Sequence, residues 1–198
     1  MADRYNDLYS GFRWQVPEHY NIAQACCGRW AAERARCALY WEDESGATAA
    51  YSFWDIQAAA NRLSNALAGL GVKRGERVAI ILPQRPETAI AYMAIFQMGA
   101  IALPLSHLFG PEALEYRLDH AEASVAIVEP ATIASLAAIR DRLEHLRHVI
   151  GVGGAREADV HSWEALLARW RRFNFVRVVF GVAGFLSLCI CVVLGGAS

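Results

Sequence analysis

Residues 77–83 read RVAIILP, and this short apolar segment decides the fold class of the chain. Its apolar residues 78–82 lie between Gly75 and Pro83, as expected of a strand that is buried in a parallel sheet. Residues 86–98, PETAIAYMAIFQM, follow with helical character and end at Gly99. Residues 100–103, AIAL, form a second short apolar segment that Pro104 closes. This succession of strand, helix and strand predicts an α/β domain.

The same alternation continues downstream of residue 104. We predict a helix over residues 111–120, a strand over residues 124–128, a helix to about residue 143 and a strand over residues 148–152. Consecutive parallel strands are joined by right-handed crossovers that place helices on the faces of the sheet. The segment therefore predicts a mostly parallel sheet with flanking helices.

Upstream of residue 77, the sequence predicts a β-hairpin followed by a helix. The predicted elements are a helix over residues 18–36 after Pro17, strands over 38–41 and 50–53, and a helix that ends at Gly71. Residues 43–46, DESG, have the composition of a turn. Ser52 stands at an N-cap position with Asp55 three residues later, which is the spacing of a capping box.

Composition limits the classes of function. The chain has 198 residues, 55% of them hydrophobic, which suffices for one substantial domain. Its 19 basic and 20 acidic residues give a net charge of −1, so we expect no nucleic-acid partner. The five cysteines include no C-x-x-C pair, and we interpret them as reduced thiols. Lys73 is the only lysine, so a mechanism that needs lysine must use it.

Several segments together resemble one enzyme family. Residues 98–105, MGAIALPL, are similar to its early Gly-Ala-x-x-x-Pro-Leu signature, and residues 71–78 and 119–124 match the same layout. Over roughly residues 5–168 the chain resembles the N-terminal part of the AMP-forming acyl-CoA synthetases of the adenylate-forming superfamily. The opening, YNDLY at residues 5–9 with Trp14, is most like the medium-chain fatty-acid branch.

The resemblance implies a fold and a reaction. Residues 1–168 would form a partial N-terminal domain of the adenylate-forming fold, truncated before the phosphate loop. The family joins a carboxylate to the α-phosphate of ATP and passes the acyl group to the thiol of coenzyme A, using ATP, Mg²⁺ and coenzyme A. The chain contains no Ser/Thr-Gly-Thr-Thr-Gly-x-Pro-Lys-Gly loop, and Lys73 does not match the catalytic lysine. We therefore assign no catalytic residue and no cofactor to this chain, and expect a carboxylate substrate only when missing domains complete it.

Two loops are the candidate substrate-binding segments. Gln84 and Arg85 follow the first parallel strand, and Ser106 and His107 follow the second. Open α/β sheets bind ligands at the carboxyl ends of their strands. In a full-length relative these residues would line the approach of the acyl group or of coenzyme A. The alternative is ordinary loop polarity.

Two further patterns suggest sites that we do not favour. Residues 151–154, GVGG, follow a strand as a dinucleotide-binding loop does, but Arg156 occupies the third glycine position, so a plain turn is preferred. His145 and His148 have the spacing of one helix face. Without an acidic or cysteine partner at ligand spacing, they indicate a solvated helix end, and we predict no metal site.

The last segment differs from the body. Residues 169–177 form a basic linker with four arginines, and residues 178–198 carry no charge. As a helix, those 21 residues would be about 31 Å long, which matches a hydrocarbon core of about 30 Å. The sequence thus predicts a transmembrane helix that anchors a cytoplasmic body. A frame-shifted ending explains the tail equally well. The alternative function is a non-enzymatic, membrane-anchored α/β binding module.

Overall fold

The computed structural model describes residues 4–155, 157 and 159–169. Its N-terminal part consists of α1 (Arg4–Gly11), α2 (Ile22–Cys26), a 3-10 turn (Gly28–Trp30), β1 (Cys37–Glu42), β2 (Thr48–Ser52) and α3 (Phe53–Gly69). Strands β1 and β2 pair antiparallel as a separate hairpin. Helix α1 has no buried residue, whereas α3 buries seven residues against the rest of the domain.

The remaining elements form the sheet and the helices that cover it. They are β3 (Arg77–Ile81), α4 (Pro86–Gln97), β4 (Ile101–Pro104), α5 (Pro111–His120), β5 (Ala123–Val128), α6 (Pro130–Ala137), a 3-10 turn (Arg140–Arg142), β6 (His148–Gly151) and β7 (Val160–Ser162). Residues 163–169 are helical. The five strands β3–β7 are ordered β4-β3-β5-β6-β7, and each neighbouring pair is parallel. The predicted α/β fold with a hairpin and a parallel sheet is confirmed.

Helices cover both faces of this sheet because successive side chains of a strand point to opposite faces. Val78 and Ile80 pack against α3 and α4, while Ala79 and Ile81 pack against α5 and α6. Every residue of the central strand β5 is buried. This two-sided burial explains why the strands are continuous apolar segments instead of alternating ones.

The capping box that begins α3 is confirmed. The backbone N–H of Asp55 donates to the Ser52 hydroxyl at 3.1 Å, and the backbone N–H of Ser52 donates to the Asp55 carboxylate at 2.9 Å. The chain leaves the end of the helix through Gly71, whose φ is 84°. A left-handed residue of this kind is where glycine is favoured.

Two predicted helices are shorter than the sequence suggested. The helix expected over residues 18–36 is wrong, because Asn21 caps a helix of only five residues by accepting from the backbone N–H of Gln24 at 3.1 Å. The helix expected to about residue 143 ends at Ala137. The buried side chains of Ile139 and Leu143 lie in the turn that follows.

The predicted C-terminal segments fall almost entirely beyond the structure. Of the basic linker at residues 169–177, only Arg169 is described, and the transmembrane helix predicted at residues 178–198 lies outside the described residues. Among the residues that the structure describes, no helix is both long enough and apolar enough to cross a bilayer.

Candidate functional site

Both predicted loops leave the same edge of the sheet. Strands β3 and β4 are parallel neighbours, so the loops that follow them begin side by side. The backbone N–H of Leu105 donates to the carbonyl of Ile80 at 3.0 Å, which keeps the two strands paired up to the start of the second loop. This carboxyl edge is therefore the candidate site.

Arg85 is held at this edge by two neighbours. Its Nε lies 2.7 Å from Oε2 of Glu87 in the first turn of α4, and each of the two side chains is 23% exposed. Its Nη1 is also close to Gly153, because a Cβ atom built there would lie 3.2 Å from that nitrogen. The guanidinium thus reaches from the loop after β3 to the turn after β6. Its charge is paired, and its position is fixed by contacts on both sides.

Gln84 connects the edge to the hairpin. Nε1 of Trp41 in β1 donates to the carbonyl oxygen of Gln84 at 3.2 Å, while the side chain of Gln84 is exposed. An open cleft of about 550 Å³ separates the two segments. The residues that line it are Trp41, Glu42, Asp43, Glu44, Ser45, Pro83, Gln84 and Arg85.

The hairpin side of the cleft is acidic, and one of its carboxylates is engaged in the turn. Asp43 accepts from the backbone N–H groups of Ser45 at 2.9 Å and Ala47 at 3.0 Å, and from the hydroxyl of Ser45 at 2.6 Å. The hydrogen bond from the Ser45 hydroxyl, followed by that from the Ala47 backbone, lowers the pKa of Asp43. Asp43 therefore stays ionised and shapes the hairpin turn, which leaves Glu42 and Glu44 as the exposed carboxylates.

Ser106 and His107 do not share this cleft. The Ser106 hydroxyl accepts from the backbone N–H of Leu108 at 3.1 Å, and its carbonyl accepts from the backbone N–H of Phe109 at 3.2 Å. Both bonds stabilise a tight turn after β4. His107 in the same turn is half-buried and is absent from the cleft lining. The structure thus brings the four predicted residues to one edge, but only Gln84 and Arg85 line a common cleft.

The groups that line this edge can bind polar atoms. The edge presents an amide, a paired guanidinium, an indole and carboxylates, and these groups can position a polar ligand. Lys73 is exposed in the turn before β3, at the opposite edge of the sheet. Within the described part of the chain, no group of three or more His, Cys, Asp or Glu side chains is arranged to hold a metal ion.

The glycine-rich segment after β6 is a turn. Gly153 and Gly154 have φ values of 66° and 80°, and a Cβ atom on Gly151 would lie 2.5 Å from the carbonyl oxygen of Ala155. The element that follows this turn is the strand β7, whereas a dinucleotide-binding loop opens a helix. Gly151 therefore permits close backbone packing, and Gly153 and Gly154 supply the left-handed conformation of the turn.

The prediction that His145 and His148 share a helix face is wrong. His148 is the first residue of β6, so it shares no helix face with His145, which is exposed in the preceding turn. His148 instead contacts His161 of β7, with 3.3 Å between ring nitrogens. Sequence reasoning missed this pair, as it missed the contact of Trp41 with Gln84. No sequence motif identifies either pair, because each contact depends on how segments distant in the chain pack together.

Comparisons with known proteins agree with this fold. The family model described as AMP-binding enzyme matches residues 28–174. Acetyl-coenzyme A synthetase of Halorhodospira halophila is 38% identical over 144 residues, which cover 64% of this chain and 22% of that protein. The uncharacterized acyl-CoA ligase YtcI of Bacillus subtilis is 35% identical over 113 residues, which cover 57% of this chain and 21% of that protein. The chain thus spans about a fifth of the length of these curated relatives.

Solved structures show the same similarity in three dimensions. An acyl-CoA synthetase of Brucella canis superposes with a TM-score of 0.75 at 26% identity, over 84% of this chain and 32% of that one. The anthranilate CoA ligase AuaEII in complex with anthranoyl-AMP superposes with a TM-score of 0.71, also at 26% identity, over 78% of this chain and 29% of that one. With the family model matching well over half of its residues, the chain belongs to the AMP-binding enzyme family.

Proposed function

We propose that this chain provides the N-terminal scaffold of a carboxylate–CoA ligase and does not form an acyl-adenylate by itself. The observation that carries the proposal is the coverage of the Brucella canis synthetase, in which most of this chain corresponds to about a third of the solved chain. The described residues form a parallel sheet with both faces covered by helices. Such a unit can hold a binding edge in place for chemistry that other segments perform.

The composition of the candidate edge supports the absence of independent activity. Adenylation requires groups that bind the phosphates of ATP and stabilise the charge that develops during transfer. The chain has no glycine-rich phosphate loop of the family type, and its single lysine, Lys73, lies away from the cleft. ATP, Mg²⁺ and coenzyme A are accordingly proposed as ligands of a completed enzyme and not of this chain alone.

We assign the cleft between the hairpin and the loop after β3 to the approach of substrate in that completed enzyme. Gln84 offers an exposed side-chain amide, and Arg85 offers a guanidinium that Glu87 holds in a fixed orientation. Ser106 and His107 belong to a neighbouring turn at the same edge, outside this cleft, and are proposed to contact the substrate there. We propose positioning roles for all four residues, since Glu87 orients Arg85 and the hydroxyl of Ser106 is engaged in its own turn.

The substrate class proposed is a carboxylic acid. The relatives named above include acetyl-coenzyme A synthetase, and a 3-hydroxypropionyl-coenzyme A synthetase of Sulfurisphaera tokodaii is 38% identical over 96 residues. For this chain we propose medium-chain fatty acids, on the basis of its opening residues 5–9 and Trp14. A panel of carboxylates from two to ten carbons separates this assignment from acetate.

A segment exchange tests the scaffold role. The matching segment of Bacillus subtilis acetyl-coenzyme A synthetase, which is 35% identical over 124 residues, is replaced by that of this chain. We expect the chimera to melt cooperatively and to retain acetate-dependent release of pyrophosphate from ATP. A chimera with Leu63→Asp in the exchanged core serves as the unfolded control. A cooperatively folded chimera without activity contradicts the proposal that the two segments are equivalent.

For residues 178–198 we propose a membrane anchor, which the absence of charge over 21 residues supports. In that case a binding module at the membrane is the second candidate function. The test is extraction of membranes with alkaline carbonate after expression of the full chain. Retention in the membrane pellet supports the anchor, and release of the full chain into the supernatant contradicts it.

A further inference from the structure

A pair of histidines joins three elements at the amino edge of the sheet, opposite the cleft. His148 begins β6, and its Nε2 lies 3.0 Å from the carbonyl oxygen of Leu70, the C-cap of α3. Its Nδ1 lies 3.3 Å from Nε2 of His161 in β7. Both imidazoles are half-buried. The pair therefore connects α3, β6 and β7 through side-chain hydrogen bonds.

The hydrogen-bond partners of the two rings determine which ring nitrogens carry protons. A carbonyl oxygen only accepts hydrogen bonds, so His148 carries its proton on Nε2 and donates to Leu70. Its Nδ1 is then an acceptor, and His161 donates to it from Nε2. In this neutral form the two nitrogens that face each other are joined by a hydrogen bond, and neither ring carries a charge.

The surroundings oppose protonation of this pair. Burial, followed by the proximity of His161, lowers the pKa of His148. Arg147 and Arg140 add positive charge nearby, although Arg147 is paired with Glu76 at 2.8 Å. One proton, that of the His161 Nε2–H group, already lies between the two facing nitrogens. A second would set two N–H groups against each other in rings whose centroids are 5.4 Å apart. The folded pair therefore binds fewer protons than two free imidazoles do.

β7 is the element that such protonation affects most directly. It has three residues, pairs only with β6 among the described strands, and contributes His161 directly opposite Ile150. Trp163, which is 5% exposed, follows it into the core beside α3 and α4. An edge strand this short depends on side-chain contacts as well as on its ladder.

We propose that His148 and His161 form a proton-operated latch, which holds β7 and residues 163–169 on the sheet at neutral pH and releases them on acidification. The direction of the pH effect follows from the difference in proton binding between the released and closed states. In the released state the imidazole of His148 has the ordinary pKa of a histidine, about 6.5, whereas in the closed state its pKa is lowered. Closure is thus most stable above that range and weakens as pH falls. For each proton by which the released and closed states differ, the equilibrium constant for closing changes about tenfold per pH unit.

Hydrogen–deuterium exchange of the full chain tests the latch. Exchange is compared at pH 7.5 and pH 5.5 after correction for intrinsic rates, in peptides that cover residues 157–169 and residues 123–128. We expect the first segment to lose about tenfold in protection at pH 5.5 and the second to change little. The double variant His148→Gln, His161→Gln keeps amide donors but does not titrate, so its pH dependence should disappear. The variant His145→Gln, at an exposed position, should retain it.

Two results would overturn the latch. One is the same pH dependence in the double variant, and the other is parallel loss of protection in both segments, which is global unfolding. If the double variant does not fold, ¹⁵N NMR of the wild-type imidazoles tests the proposal instead. We expect the Nε2–H tautomer of His148 at pH 7.5 and protonation of its ring only together with the loss of protection in residues 157–169. Protonation of His148 without that loss would contradict the proposal.

Discussion

Nε1 of Trp41 donates a hydrogen bond to the carbonyl oxygen of Gln84 at 3.2 Å, and this contact attaches the hairpin to the candidate edge of the sheet. The two residues are 43 positions apart in the chain. Both residues line the cleft that Arg85 also lines. The contact therefore couples the position of an otherwise separate two-stranded sheet to the loop after β3.

Replacing the indole tests this attachment. We expect Trp41→Phe to lower the free energy of unfolding by about 0.5–1.5 kcal/mol, because a single neutral hydrogen bond is lost. Urea denaturation measures the change. The matched control is Tyr40→Phe, on the neighbouring and 80% exposed side chain of the same strand, which should change little. Equal effects of both substitutions would show that the contact with Gln84 does not hold the hairpin.

A core substitution tests the packing between α3 and the sheet. Leu63 is fully buried in the cluster that α3 and α4 form with one face of the sheet. We expect Leu63→Ala to cost about 2–5 kcal/mol, since the cavity is surrounded by residues that cannot collapse into it completely. Leu108→Ala, at a position that is 80% exposed, should stay within about 0.5 kcal/mol of the wild type. A small effect at Leu63 would contradict this packing.

The turn between α4 and β4 requires glycine. Gly99 has a φ of 74°, and a Cβ atom there would lie 3.1 Å from Cγ of Arg74. We expect Gly99→Ala to destabilise the fold by about 1–2 kcal/mol through the left-handed backbone alone. Gly69→Ala is the control, because Gly69 is helical with open space around it. Thermal melting should show a lower midpoint for the first variant and an unchanged or higher midpoint for the second.

The capping box of α3 makes a prediction in acid. The hydroxyl of Ser52 donates to the Asp55 carboxylate at 2.6 Å, and this bond, before the one from the Ser52 backbone, lowers the pKa of Asp55. The stabilisation is therefore present above the unfolded pKa of about 3.9 and is lost as the pH falls through the lower folded value. We expect Ser52→Ala to cost about 1 kcal/mol at pH 6 and less at pH 3.5.

Urea denaturation of that variant at the two pH values measures the difference. Ser52→Thr keeps the hydroxyl and should resemble the wild type at both. A loss that is equally large at pH 3.5 would contradict the role of the Asp55 carboxylate in the cap.

The sequence predicted the parts of the fold that local pattern determines. The apolar segments around Val78 and Ile127 and the pair Ser52 and Asp55 each carry their structural signal within a few residues. β7 escaped prediction because three residues of mixed polarity have no periodicity. The helix expected over residues 18–36 failed because the Asn21 cap and the turns after it outweigh helical composition.

The candidate site was predictable in place but not in detail. The rule that ligands bind at the carboxyl ends of parallel strands located Gln84, Arg85, Ser106 and His107 at one edge. The rule could not show that the hairpin forms a cleft with Gln84 and Arg85 alone, because that depends on the packing of Trp41. The histidine pair at the opposite edge likewise depends on strand order, which brings residues 13 positions apart into contact.

ATP–pyrophosphate exchange by the purified full chain tests the central claim most directly. The assay contains Mg²⁺ and a panel of carboxylates from two to ten carbons, with Bacillus subtilis acetyl-coenzyme A synthetase and acetate as the positive control. We expect no carboxylate-dependent exchange from this chain under conditions in which the control is active. Carboxylate-dependent exchange would contradict the account, because it would mean that these 198 residues build a complete adenylation site.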